Sequence, residues 1–283
     1  MSPRLLLIDA YDEGGRAALI AAGVTTGGDL YRRLLGRLAP KATVELVVFR
    51  GAGGFAPSAA LSDYDGVIWS GSNLTVHRDS SAVREQLAFA RAVFAAGVPS
   101  FGSCWALQIA VTATGGRCGI NPRGREFGVG RTITLNERGR GHAMFAGKPA
   151  AFSALTCHED HVIELGEHAE LLASNAFSEV QAVHVSFGRG EFWAVQYHPE
   201  YELADVAQVG ALRSPQLIAQ GFFAGPEDAR SYLGDLEALA AAPDRRDLAF
   251  RLAVDRDVLD RDLRTIEVQN WLLAHVVGRA QLG

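Results

Sequence analysis

The chain has little cysteine and no run suited to leaving or crossing a membrane. Three cysteines in 283 residues make an odd number, and no secretory segment precedes them, so a disulfide framework is not expected and a reducing cytoplasm is. Met1-Ser2-Pro3-Arg4 runs straight into a strand-like segment and leaves no room for a targeting peptide. No apolar stretch approaches the ~20 residues of a membrane span. No Lys/Arg-rich run interrupts a net charge of −5, which argues against a polyanion-binding surface and hence against nucleic acid as a partner. Gly51-Ala52-Gly53-Gly54 opens no helix and reads as a plain connection, so no phosphate-binding loop is present. What the chain does have is 48% hydrophobic residues, enough for a sizeable core in one large domain or in one domain with an appendage.

Its first half alternates short apolar runs with helical patterns. Leu5–Ile8, Thr43–Phe49 and Asp65–Trp69 read as strands, with helices over Arg16–Ala22, Asp29–Leu38 and Ser81–Ala96. Such alternation indicates an α/β fold with a mostly parallel sheet and helices on both faces. Sites in such sheets lie beyond the carboxyl ends of the strands, where loops 9–12, 70–73 and 102–105 gather. After Gly115-Gly116 the pattern changes to closely spaced strands: Arg131–Leu135, Ala151–Cys157, Ala169–Ser174, Gln181–Phe187 and Glu191–Gln196. Connections such as Phe187-Gly188-Arg189-Gly190 suggest that these are antiparallel additions. Residues 203–283 read as a helical extension of the domain formed by residues 1–202. In it, Leu259, Leu263, Ile266, Leu273 and Val277 share one helix face, and Arg256, Arg261, Asp262 and Arg264 take the solvated side.

The chemistry-bearing stretch is Gly102-Ser103-Cys104-Trp105-Ala106, where an apolar strand meets a small-residue turn and a helix begins. A side chain lifted on such an elbow is exposed as a nucleophile, and a thiol there faces a helix N-terminus. A buried cysteine packed as a small hydrophobe is the competing reading. Far downstream, Tyr197-His198-Pro199-Glu200 follows a strand, and His198 and Glu200 can project the same way from an extended segment. A thiol, an imidazole and a carboxylate supply nucleophile, base and orienter.

With Gly102-Ser103-Cys104 and Gln108, the segments Arg125-Glu126-Phe127-Gly128, Ala173-Ser174-Asn175 leading to Val180-Gln181-Ala182, and Gln196-Tyr197-His198-Pro199-Glu200 form an ordered set across residues 4–202. In these motifs the chain resembles the class I (triad) glutamine amidotransferases, especially the amidotransferase domain of GMP synthases. Ala106 stands where that family usually has glycine, and Ser103 where it usually has an aliphatic residue. The resemblance implies a flavodoxin-like or Rossmann-like sheet and a Cys104–His198–Glu200 triad that splits the side-chain amide of glutamine through a γ-glutamyl thioester. Gly71 and Trp105 would donate backbone N–H groups to the oxyanion. Gln108, four residues beyond Cys104 and so on the same helix face, would hold the substrate's α-amino or carboxylate group.

Cys157-His158-Glu159-Asp160-His161 resembles, in position, the family's Ser-His-Gly-Asp segment along the glutamine pocket, with Glu159 in place of glycine. As a metal site it fits no ligand spacing, and no metal or other cofactor is expected. Cys118, with no acid–base neighbour in sequence, reads as structural, and His142, His168 and His184 as surface or core histidines. About eighty residues beyond residue 202 are too few for a nucleotide-activating synthetase domain. The implied partners are therefore glutamine or another γ-glutamyl amide and a separate synthetase that accepts ammonia, with the oligomeric state open. A stand-alone γ-glutamyl peptidase or hydrolase with the same triad, and a non-catalytic binding protein on this fold, are the alternatives.

Overall fold

The structure is a computed structural model describing residues 2–277. The chain begins with β1 (Arg4–Asp9), whose Leu5–Ile8 core is fully buried, as expected of a strand covered on both faces. Helices α1 (Glu13–Ala21) and α2 (Gly27–Leu38) follow, capped by the Asp12 and Thr26 side chains. Next come β2 (Thr43–Val48), β3 (Gly66–Trp69), α3 (Ser81–Ala96), β4 (Ser100–Ser103) and α4 (Trp105–Ala113). Ser80 caps the start of α3, and Gly97, at φ 72°, ends it in the left-handed conformation that favours glycine.

The middle of the chain supplies β5 (Arg117–Ile120), β6 (Glu126–Leu135), the short α5 (Glu137–Gly141), β7 (Ala151–His158), β8 (Asp160–Glu164), β9 (Ala169–Ser174), β10 (Ala182–Phe187) and β11 (Gly190–Val195). Nine strands form one sheet in the order β2-β1-β3-β4-β11-β10-β9-β6-β7, while β5 and β8 make a separate antiparallel pair. From β2 to β11 neighbours are parallel; from β11 to β7 they are antiparallel. β11 is thus the hinge strand of the topology. It closes a hairpin with β10 through the expected Phe187–Gly190 turn and lies parallel to β4. The β5–β8 pair leaves little trace in the sequence, because Arg117–Ile120 and Asp160–Glu164 are short and only partly apolar.

The C-terminal region folds as α6 (Leu203–Ala219), α7 (Pro226–Ala241), α8 (Arg246–Leu252), α9 (Arg256–Leu259), α10 (Arg261–Arg264), α11 (Ile266–Trp271) and a π-helical turn over Leu272–Val277. No helix among the described residues is long and apolar enough to cross a membrane. Residues 256–277 do not form the single amphipathic stripe expected of them. Asp255 and Asp260 cap successive short helices, and each cap restarts the helix and resets the buried face. Val258, Val268, Trp271, Leu272 and Val276 are the buried apolar residues, while Leu273 is 63% exposed. Arg264, expected in solvent, is buried and donates to the Val258 carbonyl.

Trp271 packs on Phe101 of β4 and covers Gly66 of β3, where an added Cβ would lie 2.6 Å from the indole. Two residues beyond β11, Tyr197 donates its hydroxyl to Glu267 at 2.6 Å, and Lys148 pairs with the same carboxylate at 3.0 Å. All three side chains are buried. Replacing Lys148 with Met leaves Glu267 as an uncompensated buried charge and is expected to destabilise the fold by about 3–5 kcal/mol, read from urea unfolding. The double variant Lys148→Met/Glu267→Gln, which keeps an acceptor for Tyr197, should recover part of that loss.

Candidate active site

Three neighbouring parallel strands end together. Register pairs Trp69 of β3 with Gly102 of β4, and Ser103 of β4 with Val195 of β11. The residues just past these ends are Gly71, Cys104 and His198, so adjacency in the sheet joins segments far apart in sequence. The convergence is close: a Cβ added at Gly71 would lie 3.1 Å from His198 Cε1 and 3.8 Å from the Cys104 Cβ.

Cys104 occupies the elbow with φ 54° and ψ −102°, a conformation sparsely populated by residues other than glycine and held here by its surroundings. Its N–H donates to the Val195 carbonyl at 2.7 Å, and α4 begins at the next residue. Gly102 makes the corner possible. A Cβ there would meet the Ala106 Cβ at 2.3 Å and the Trp69 carbonyl oxygen at 2.7 Å. The small side chain of Ala106 is therefore accommodated because its neighbour across the turn has none.

The imidazole Nδ1–H of His198 donates to Glu200 Oε1 at 2.7 Å, and Ser103 Oγ donates to the same oxygen at 2.8 Å. Tyr201 stacks on the His198 ring at 4.1 Å with planes 7° apart. Nε2, the other ring nitrogen, is buried and makes no hydrogen bond within the described residues. Burial alone would lower the imidazole pKa. The Glu200 charge and the neighbouring Cys104 side chain outweigh it and push the value up to about 10. The ring therefore keeps its proton at neutral pH. Tyr31 of α2 lies near Ser103 and Glu200, and its hydroxyl is held well above the ordinary phenol range, first by burial and then by the Glu200 charge.

Cys104 opens on a cavity of about 320 Å³ that is also lined by Trp105, Gln108, Cys157, His158, Glu159 and Arg213. The Cys104 thiol points to the Cys157 carbonyl oxygen at 3.9 Å. Gln108 Nε2 reaches the Asp160 carbonyl at 3.3 Å and Gln196 Oε1 at 3.4 Å. The His158 ring stands between Glu126 Oε2 at 2.9 Å and the Asp160 carbonyl at 3.0 Å. Glu126 also accepts from Asn175 at 2.6 Å and Gln181 at 2.8 Å. Burial acts to raise the Glu126 pKa, but His158, Asn175 and Gln181 together bring it below the usual carboxylate range. Three of the sequence motifs thus meet in one buried network behind the cavity wall. Glu159, on the wall itself, is closed by Arg125 and by Gln220, whose Nε2 donates at 2.9 Å.

Other sequence-marked residues lie elsewhere. Burial pushes the Cys118 thiol up to about 12, fitting its structural reading. His142 and His184 face each other at 3.1 Å beside Trp193, and His168 packs on Phe187. Sequence reasoning assigned no role to Ser103, Tyr31, Tyr201 or Arg213. Only Ser103 carried a signal, as a departure from the family's aliphatic residue.

The His198–Glu200 pair sets a pH dependence. The raised imidazole pKa contributes stability that is fully present below the ordinary value of 6.5 and is lost as pH rises through about 10. Glu200→Gln removes the charge while burial persists, so His198 should titrate far below 10, and the stability slope between those limits should vanish. NMR titration of the ring and denaturation at several pH values measure both.

A model of the glutamine amidotransferase class-I family matches residues 29–208. A γ-glutamyl-L-1-hydroxyisopropylamide hydrolase from a Pseudomonas species is 29% identical over 277 residues, covering 95% of this chain and 92% of that protein. A glutamine-hydrolysing GMP synthase from Thermomicrobium roseum is 32% identical over 108 residues, which are 38% of this chain and 19% of that enzyme. Among solved structures, a glutamine amidotransferase from Thermotoga maritima superposes with a TM-score of 0.62 at 15% identity, over 90% of this chain and 100% of its own; at that identity it speaks for the fold. The family match spans more than half of the sequence and contains the elbow, every strand of the nine-stranded sheet except β1, and the His198–Glu200 turn, and the chain belongs to the class-I glutamine amidotransferases.

Proposed function

We propose that this protein hydrolyses a γ-glutamyl amide through a thioester on Cys104, releasing a small amine or ammonia and then glutamate. The observation that carries this reading is the convergence of Cys104, His198–Glu200 and Gly71 at the ends of three adjacent strands, beside a cavity. The Cys104 sulfur, as thiolate, attacks the amide carbon of the substrate. The oxyanion that forms is received by the backbone N–H groups of Gly71 and Trp105, each worth about 3–4 kcal/mol by hydrolase precedent. As the carbon–nitrogen bond breaks, His198 gives its proton to the leaving nitrogen. Water then attacks the thioester carbon and its proton passes to His198. Glutamate departs and the sulfur is regenerated. Glu200 orients the imidazole through Nδ1 and stabilises its charged form.

A cavity of about 320 Å³ lies near the small end of ligand pockets, roughly 300–1,000 Å³. It suits a γ-glutamyl group with a compact amine. The match to the Pseudomonas hydrolase runs over nearly the full length of both chains, including the helical C-terminal region, whereas the match to the GMP synthase covers 19% of that enzyme. This favours hydrolysis of a small γ-glutamyl amide by the chain on its own. The second reading, an ammonia-supplying subunit for a separate synthetase, draws on the motifs shared with the amidotransferase part of GMP synthase.

Cys104→Ala should lower turnover of γ-glutamyl amides by roughly 10⁴-fold or more, with glutamate release as the readout. Turnover equal to the wild type would overturn the thioester mechanism. A panel comparing glutamine with γ-glutamyl ethylamide and γ-glutamyl-hydroxyalkylamides separates the two readings. Higher kcat/KM on the alkylamides supports the hydrolase, and a strong preference for glutamine supports the ammonia-supplying subunit.

A further inference from the structure

The catalytic cavity receives one charged residue from outside the stretch that the family model matches. Arg213 lies on α6, past residue 208 where that match ends, yet its side chain lines the cavity with Cys104 and Cys157. It is half-buried, and its Nε is buried with no hydrogen-bond partner. Its titratable neighbours are the Cys157 thiol and the Tyr11 and Tyr201 hydroxyls, with Tyr11 lying within reach of the guanidinium. Burial pushes the Tyr11 hydroxyl up to about 12 and holds that of Tyr201 well above the ordinary phenol range, so neither supplies a counter-charge. No carboxylate pairs with Arg213 among the described residues. Arg125 at the same cavity is different, being closed by Glu159 and Gln220.

A guanidinium cannot shed its proton to escape burial. A cation drawn out of water without a counter-charge is unfavourable until an anion completes it. Every γ-glutamyl compound carries an α-carboxylate, and a γ-glutamyl peptide carries a second carboxylate on its amine half. We propose that Arg213 is the carboxylate-binding residue of this cavity and a determinant of substrate specificity, an assignment that rests on the γ-glutamyl reading above. It gives the C-terminal helical region a direct part in recognition.

The test compares Arg213→Met with wild type on γ-glutamyl ethylamide, γ-glutamylglycine and γ-glutamylglycinamide. KM should rise roughly 10- to 100-fold, the fold-change carried by loss of a charge-assisted hydrogen bond, while kcat changes little. A rise on all three substrates assigns the α-carboxylate. A rise on γ-glutamylglycine alone assigns the carboxylate of the amine half. KM within twofold of wild type on all three overturns the proposal. Arg213→Gln, which keeps a polar side chain, is read by the same criterion if the Met variant does not fold. Calorimetric binding of L-glutamate and γ-glutamylglycine to Cys104→Ala, with and without Arg213→Met, needs no turnover. If wild type hydrolyses no γ-glutamyl amide but both ligands bind through Arg213, the functional reading fails and the carboxylate assignment stands. Equal binding by both proteins overturns it.

Discussion

One carboxylate oxygen ties the carboxyl ends of two strands together. Glu200 Oε1, downstream of β11, accepts from His198 Nδ1 and from Ser103 at the end of β4. Ser103 directly precedes Cys104, so this oxygen fixes the imidazole relative to the backbone that carries the thiol. Its burial strengthens both bonds, because water neither competes for the oxygen nor screens its charge. The same charge keeps the His198 proton in place against burial. Geometry and proton affinity therefore share one cause. An aliphatic side chain at position 103 would have no hydroxyl to offer Glu200, so the link between the two strand ends rests on this serine.

Much of this was legible in the sequence. Leu5–Ile8 announced a doubly covered strand by being continuously apolar, and the Gly102–Ala106 run announced a corner by being small. Helix α3 and strand β9 begin and end where the pattern placed them, because a serine cap and a terminal glycine mark the helix, and polar neighbours bound the strand. Cys104, His198 and Glu200 meet because β4 and β11 are register neighbours. The residue types named the chemistry, but only the sheet order brings them together.

What stayed hidden follows a rule. A pairwise contact between distant segments leaves no periodic trace when one member sits in an otherwise ordinary helix. Arg213 has nothing around it in sequence to distinguish it from a solvated arginine; only the fold places it in the cavity. Glu126, Asn175 and Gln181 were visible as motif members, yet their common purpose is a three-dimensional fact. The final helices misled for a related reason. Helical spacing assumes an uninterrupted helix, and the aspartate caps at 255 and 260 break it.

The C-terminal region is coupled to the His198–Glu200 turn and the cavity beside it from both sides of the sheet. On one side, Tyr197, adjacent to His198, is held by Glu267, which Lys148 neutralises in turn. On the other, α6 carries Arg213 to the cavity and Gln220, just past its end, to Glu159. Loosening the last helices would thus disturb the backbone next to the His198 imidazole, and shifting α6 would move the Arg213 charge at the cavity. A helical segment that only covered core surface could drift in sequence wherever apolar volume was conserved. This one is constrained at buried polar atoms as well, where a lost partner is more damaging than a lost methyl group. The fold and the site consequently share the same C-terminal residues as supports.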